Sequence, residues 1–118
     1  MSYEKHHELR ERTKKFALRI INMSQALPNS RAANVINNQI LRAATGMAAN
    51  YRAAGRSRSK AEFIAKVGVA LEEADETLLW LGLLAESRIV RPEKLRELLA
   101  EINALIAIFS ASRRTAKA

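Results

Sequence analysis

The sequence predicts an all-α protein, an up-down-up-down antiparallel four-helix bundle, and three observations support this fold. Only four glycines and two prolines interrupt the 118 residues, and alanine and leucine are abundant, which favours helix along the whole chain. Four stretches repeat apolar residues at intervals of three and four, the period of one helix face. The connections between these stretches are short, and short connections make consecutive helices antiparallel. We therefore expect one domain over residues 1–118.

The first helix is predicted over about residues 3–27 and the second over about 31–54. Pro28 ends the first helix, and the Ser30 hydroxyl can cap the second. Gly55 follows the second helix directly, so we expect it to close that helix in the left-handed conformation. The predicted inward faces consist of Leu9, Phe16, Ile20, Met23 and Leu27 in the first helix and of Ala33, Ile36, Ile40, Ala43, Met47 and Tyr51 in the second.

The third helix is predicted over about residues 60–86 and the fourth over about 92–112. Ser59 and Glu62 have the spacing of a capping box, and Pro92 suits the first position of a helix. The basic tail, residues 113–118, is expected to be frayed. The predicted inward faces consist of Phe63, Val67, Ala70, Leu71, Ala74, Leu78 and Leu81 in the third helix and of Leu95, Leu98, Leu99, Ile102, Leu105, Ile106 and Phe109 in the fourth.

Charge is distributed unevenly along the chain, which carries a net charge of +8. Residues 12–61 contain ten lysines and arginines and no acidic residue, and acidic residues then crowd positions 72–76. A molecule with one cationic and one anionic side suits an anionic polymer, a complementary copy of itself, or both. The candidate nucleic-acid contacts are Lys14, Lys15, Arg19, Arg42, Arg52, Arg56, Arg58 and Lys60, to which the tail adds Arg113, Arg114 and Lys117.

These cations have a second interpretation, in which they solvate the surface and pair with acidic residues of a neighbouring copy. Lysine and arginine contact phosphates without reading sequence, so the pattern alone does not separate the two interpretations. The chain has no aromatic platform for stacking bases and no recognisable helix-turn-helix. Sequence-specific recognition of nucleic acid is therefore not expected.

The third helix has a second apolar face, roughly opposite its inward face. Val69, Trp80 and Leu83 fall on it, interleaved with Glu72, Glu73 and Glu76. Tryptophan is enriched at the centres of protein interfaces, so these six residues are the candidate subunit interface. A contact between an acidic and a basic surface is head-to-tail, and such contacts can close into rings. The alternatives are a wider core, or a Trp80 ring lying flat under the loop before Pro92.

Catalysis, metal binding and cofactor binding are not expected. The two histidines, His6 and His7, lie at the chain start, too few for a metal site. Glu72 and Glu76 lie one helical turn apart, but on an outward face they lack the burial that acid–base catalysis requires. The chain has no cysteine, a polar start, and no apolar run long enough to span a membrane. We therefore expect a soluble cytoplasmic protein without a membrane role.

Two segments carry a resemblance to a known family. Residues 49–66 include Asn50, the serine cap and Phe63, and residues 71–81 include the acidic stretch and Trp80. Together they resemble the bacterial four-helix-bundle proteins related to the 23S rRNA intervening-sequence protein, a superfamily that includes the accessory variability determinant of diversity-generating retroelements. The stretch Asn50-Tyr51-Arg52-Ala53-Ala54-Gly55 is more basic than the Asn-Ile-Ala-Glu-Gly that other members commonly carry.

The resemblance implies a homopentameric barrel of bundles with a central channel and, less directly, a basic surface that binds RNA or DNA. In the retroelement branch it also implies a reverse-transcriptase partner. The sequence as a whole predicts a non-enzymatic, oligomeric binding or scaffold protein. The alternative is a nucleic-acid-binding accessory protein that uses the basic rim of helices one and two.

Overall fold

The computed structural model describes residues 3–118 as four helices: α1 (Tyr3–Ser24), α2 (Arg31–Ala54), α3 (Lys60–Glu86) and α4 (Pro92–Lys117). No strand occurs within this range. Each helix packs against the next one, and α1 also touches α4, although less extensively than it touches α2. The bundle measures 44 × 21 × 20 Å. The all-α, four-helix prediction is confirmed.

The helix starts follow from local chemistry. Ser30 and Ser59 have extended backbones, and their hydroxyls accept from the amides of Ala33 at 3.2 Å and Glu62 at 3.1 Å. Such caps satisfy amides that have no partner inside a helix, and each contributes about 1 kcal/mol. Pro92 occupies the first turn of α4, where its missing N–H leaves no hydrogen bond unmade.

The helix ends differ from the prediction at three places. α1 stops at Ser24 rather than near Leu27, because the last residues before Pro28 form turns. The predicted frayed tail is helical through Lys117, which corrects the expected end of the fourth helix near Ser112. Gly55 has φ −66°, not a left-handed conformation. Its missing side chain instead leaves room for the His6 ring, which would overlap a Cβ at that position.

The core runs along the bundle axis and matches the predicted inward faces closely. Its largest fully buried side chains include Tyr51, Phe16 and Phe109, with Met23, Phe63 and Leu78 half-buried around them. Thr13 and Thr77 are buried polar residues, and each hydroxyl donates to a carbonyl of its own helix, those of Arg10 and Glu73, at 2.8 Å. Within residues 3–118, no helix has the length and apolar character required to cross a bilayer.

Candidate functional site

The outer face of α3 exposes apolar side chains, as its sequence pattern predicts. Val69 and Leu83 are each 39% exposed, and Leu79, which the sequence analysis did not select, is 52% exposed. Leu79 and Leu83 are four residues apart and Val69 lies fourteen residues, about four turns, before Leu83, so all three fall on one side of the helix. We call Val69, Leu79, Leu83 and the exposed edge of Trp80 the α3 outer face.

Trp80 belongs to both the core and this face. Its ring is half-buried and packs against the core of its own chain. This agrees in part with the alternative prediction that the core is wider and includes Trp80. The indole Nε1 is buried and has no hydrogen-bond partner among residues 3–118. A buried N–H without a partner costs free energy, and it is an uncommon feature of folded proteins. The one tryptophan is therefore an incompletely satisfied residue at the edge of an apolar surface.

The acidic residues of α3 lie beside this face, and two of them are already paired within the chain. Arg42 of α2 places its guanidinium 2.6 Å from the Glu76 carboxylate and 3.5 Å from that of Glu73. The sequence pattern predicts that these acids meet cations of a neighbouring copy, and it makes Arg42 a candidate nucleic-acid contact. The structure instead uses Arg42 to join α2 to α3, and Glu72 remains exposed without an ion pair among residues 3–118.

Glu73 lies close to α2 because of a glycine. Its carboxylate occupies the space that a Cβ at Gly46 would fill, and its side chain is only 15% exposed. Burial raises the pKa of Glu73, and the hydrogen bond and charge of Glu76 raise it further, while Arg42 opposes the change. The pair of carboxylates and the single guanidinium therefore form a compact polar contact beside the α3 outer face.

Three predicted arginines meet in one groove at the end of α2. Arg52, Arg56 and Arg58 line a cavity of about 500 Å³ together with Lys66 of α3, which the sequence analysis did not select. The remaining lining residues are Ala49, Ala53 and Glu62. We call this cavity the basic groove. None of its four cations has an ion-pair partner within the described residues.

The other predicted cations do not line the basic groove. Lys60 faces a separate apolar cavity beside Phe63 and Ile108, where its Nζ lies 3.5 Å from the Ala118 carbonyl oxygen. Lys14 and Lys15 are exposed on α1. Arg19 reaches Glu97 of α4 at 3.6 Å.

The helical tail brings further positive charge to the same end of the bundle. The Arg113 side chain lies against Gly68, with its Nε 3.4 Å from where a Cβ would stand. Arg114 and Lys117 lie in the last turns of α4, which the Lys60–Ala118 contact places at the start of α3. The end of α2, the start of α3 and the end of α4 therefore form one basic end of the protein.

His6 makes a specific contact there that the sequence analysis did not predict. Its Nδ1 lies 2.9 Å from the Tyr51 hydroxyl, and the two rings stack with centroids 4.7 Å apart. Burial lowers the pKa of His6, and the nearby charges of Arg10 and His7 lower it further. Burial also raises the pKa of Tyr51 to about 12. Among residues 3–118, no three side chains of the metal-binding types come together.

The fold and these surfaces define a class, the small all-α four-helix bundles with a basic end and an exposed apolar helix face. A family model, 23S rRNA-intervening sequence protein, matches residues 5–111, and the chain belongs to that family. It is also similar to a crystal structure from Bacteroides thetaiotaomicron, described as a protein with unknown function from the S23 ribosomal protein family. The two share 32% identity with a TM-score of 0.82, over 88% of this chain and 96% of that one. No curated protein matches the chain.

Proposed function

We propose that this protein is a non-enzymatic binding or scaffold protein that assembles with copies of itself through the α3 outer face. The observation that supports this most directly is the exposure of Val69, Leu79 and Leu83 on one side of one helix. Large apolar side chains exposed on one helix face are unfavourable in water and can mark a contact between proteins.

Sedimentation velocity tests the assembly. The wild-type protein is expected to sediment above its chain mass of 13.2 kDa, and the pentamer that the resemblance implies would have five times that mass. Leu83→Ser should dissociate the assembly while circular dichroism shows unchanged helix content. Leu18→Ser is the matched control, since Leu18 is an exposed leucine of α1, outside the α3 outer face. A monomeric wild-type protein would refute the proposal.

A second function, nucleic-acid binding, has its own support. Cations without ion-pair partners gather in the basic groove, and Arg113, Arg114 and Lys117 lie at the same end. Phosphate contacts by such side chains supply affinity without sequence recognition. The family resemblance, which implies a reverse-transcriptase partner in the retroelement branch, adds such an enzyme as a proposed protein partner.

Fluorescence anisotropy with labelled single-stranded RNA and duplex DNA at low salt tests this function. The wild-type protein should bind both, and its affinity should fall linearly with salt on logarithmic axes. Replacing Arg52, Arg56 and Arg58 together by alanine should weaken binding to both and flatten the salt dependence. Arg31→Ala, at the opposite end of α2, is the control. No binding of either nucleic acid by the wild-type protein would exclude the second function.

A further inference from the structure

We propose that the basic groove is a discrete binding site for a phosphate group, in a form that also presents a hydrogen-bond donor. The site lies where the end of α2, the α2–α3 turn and the start of α3 meet. This inference deepens the second proposed function and rests on it for a nucleic-acid source of the phosphate. All the residues that line the groove belong to one chain.

The shape of the groove suits a ligand larger than a single ion. Its volume of about 500 Å³ lies within the usual range for small-molecule sites, roughly 300–1,000 Å³. On the α2 side its lining includes two alanines, Ala49 and Ala53, whose small side chains leave the helix surface open to a ligand beside Arg52. The cations reach the cavity from three segments: Arg52 from α2, Arg56 and Arg58 from the turn, and Lys66 from α3.

The electrostatics of the groove favour a multiply charged anion. Arginine binds phosphate through a planar fork of N–H groups, and lysine adds a point charge. Because no acid among residues 3–118 pairs with Arg52, Arg56, Arg58 or Lys66, a ligand need not displace an existing ion pair. The positive end of the α3 dipole adds to the attraction at the same place.

Glu62 makes the groove more selective than a plain basic patch. It is the one acidic residue of the lining, it is exposed, and its carboxylate forms no ion pair with the groove cations. Its backbone amide donates to Ser59, which fixes the start of the helix and hence the position of Glu62. A carboxylate beside a phosphate repels it but accepts a hydrogen bond from a neighbouring hydroxyl or amino group. Nucleotides carry both a phosphate and such donors.

Isothermal titration calorimetry with pyrophosphate and with adenosine diphosphate tests the site. Each probe should bind one site per chain. Arg56→Ala and Arg58→Ala should each weaken both probes about tenfold, the loss expected for one charge-assisted hydrogen bond. Glu62→Gln removes a repulsive charge and should tighten pyrophosphate about two- to fivefold. Adenosine diphosphate should gain less from this change, because the amide oxygen of glutamine accepts a hydrogen bond from it more weakly than the carboxylate does.

Arg31→Ala serves as the control, since this exposed arginine of α2 lies outside the groove. The proposal is overturned if pyrophosphate does not bind, or if Arg31→Ala weakens it as much as Arg56→Ala does. It is also overturned if Glu62→Gln leaves pyrophosphate affinity unchanged, because the bound anion would then lie elsewhere. Circular dichroism of each variant separates loss of binding from loss of folding.

Competition identifies the source of the phosphate. If pyrophosphate displaces a labelled single-stranded RNA, the groove holds a nucleic-acid phosphate. If pyrophosphate binds and the RNA does not, the groove serves a small phosphorylated molecule, and the phosphate site stands without the nucleic-acid function. If the RNA binds but is not displaced, the RNA lies elsewhere on the protein, and the groove again serves a small phosphorylated molecule. The failure of the second proposed function is thereby distinguished from the failure of this inference.

Discussion

Replacing Gly46 by alanine tests how α2 and α3 are joined beside the α3 outer face. A Cβ at position 46 would occupy the space now taken by the Glu73 carboxylate. The carboxylate is the far end of a flexible side chain, so it can move into water while the backbone stays in place. Its contact with Arg42 at 3.5 Å would be lost, and the shorter Arg42–Glu76 contact at 2.6 Å would remain.

The expected free-energy change combines two opposing effects. Alanine is favoured over glycine within a helix by about 1 kcal/mol. The Arg42–Glu73 ion pair is long, and Arg42 is exposed, so its loss should offset only part of this gain. Moving Glu73 into water also relieves the burial that raises its pKa. Gly46→Ala should therefore stabilise the protein by about 0–1 kcal/mol, equivalent to a rise in Tm of up to about 5 °C.

Urea denaturation followed by circular dichroism, at one protein concentration, measures the effect. Gly82→Ala is the matched control, because a Cβ there would meet only Glu86, at an ordinary 3.6 Å. It should show nearly the whole helix-propensity gain, so the difference between the two variants is the cost of moving Glu73. A Gly46→Ala protein less stable than wild type by more than about 1 kcal/mol, beside a stabilised Gly82→Ala, would refute this reasoning.

Three further predictions concern the contacts that tie α1 to the bundle. Tyr51→Phe removes the hydroxyl that lies 2.9 Å from His6 Nδ1, and it should lower the free energy of unfolding by about 1 kcal/mol in urea denaturation. The His6 pKa lies below its ordinary value of 6.5 in the folded protein, so the unfolded chain binds the extra proton. The stability due to His6 is therefore complete above about pH 6.5 and is lost as the pH falls through the lowered pKa; denaturation between pH 7 and 5 measures it. Glu101→Gln breaks the two-bond pair with Arg12, at 2.7 and 2.8 Å, and should cost up to about 1 kcal/mol by the same assay.

Each of these three predictions has a control and a contrary result. His6→Gln should reduce the loss of stability between pH 7 and 5. If the loss is unchanged, a titrating group other than His6 causes it. Tyr51→Phe in the His6→Gln background should cost less than in wild type; equal costs would show that the hydroxyl acts without His6. Glu97→Gln should have little effect, because Glu97 is 91% exposed and lies 3.6 Å from Arg19. If Glu97→Gln lowered the free energy of unfolding as much as Glu101→Gln does, the loss would be a general effect of surface charge.

Features that depend on neighbouring residues in the chain could be predicted from sequence. Ser30, Ser59 and Pro92 act within one helical turn, so their roles follow from spacing alone. The core faces could also be predicted from sequence, since a helix that buries one side must repeat apolar residues at the helical period. The helical tail was not predicted, because chain ends commonly fray and the sequence does not reveal contacts such as that of Arg113 with Gly68.

Features that depend on the register between helices could not be predicted. Arg42 and Arg56 have the same chemistry, yet one pairs with α3 and the other lines the basic groove. Only the packing of α2 on α3 separates them. Lys66 was missed for the same reason, although its position one turn after Glu62 places both on one side of α3. A glycine directly after a helix commonly adopts the left-handed conformation, but Gly55 does not. Its lack of a side chain instead makes room for the His6 ring.

The two proposed surfaces adjoin each other on α3. Lys66 of the basic groove and Val69 of the α3 outer face are three residues apart, so they are neighbours on the helix surface. A copy that covers Val69 therefore comes within one helical turn of the groove and brings its own charges there. If those charges are basic, assembly completes the phosphate site; if they are acidic, assembly closes it. Pyrophosphate affinity should accordingly differ between the wild-type protein and the Leu83→Ser variant, and equal affinities would show that the surfaces act independently.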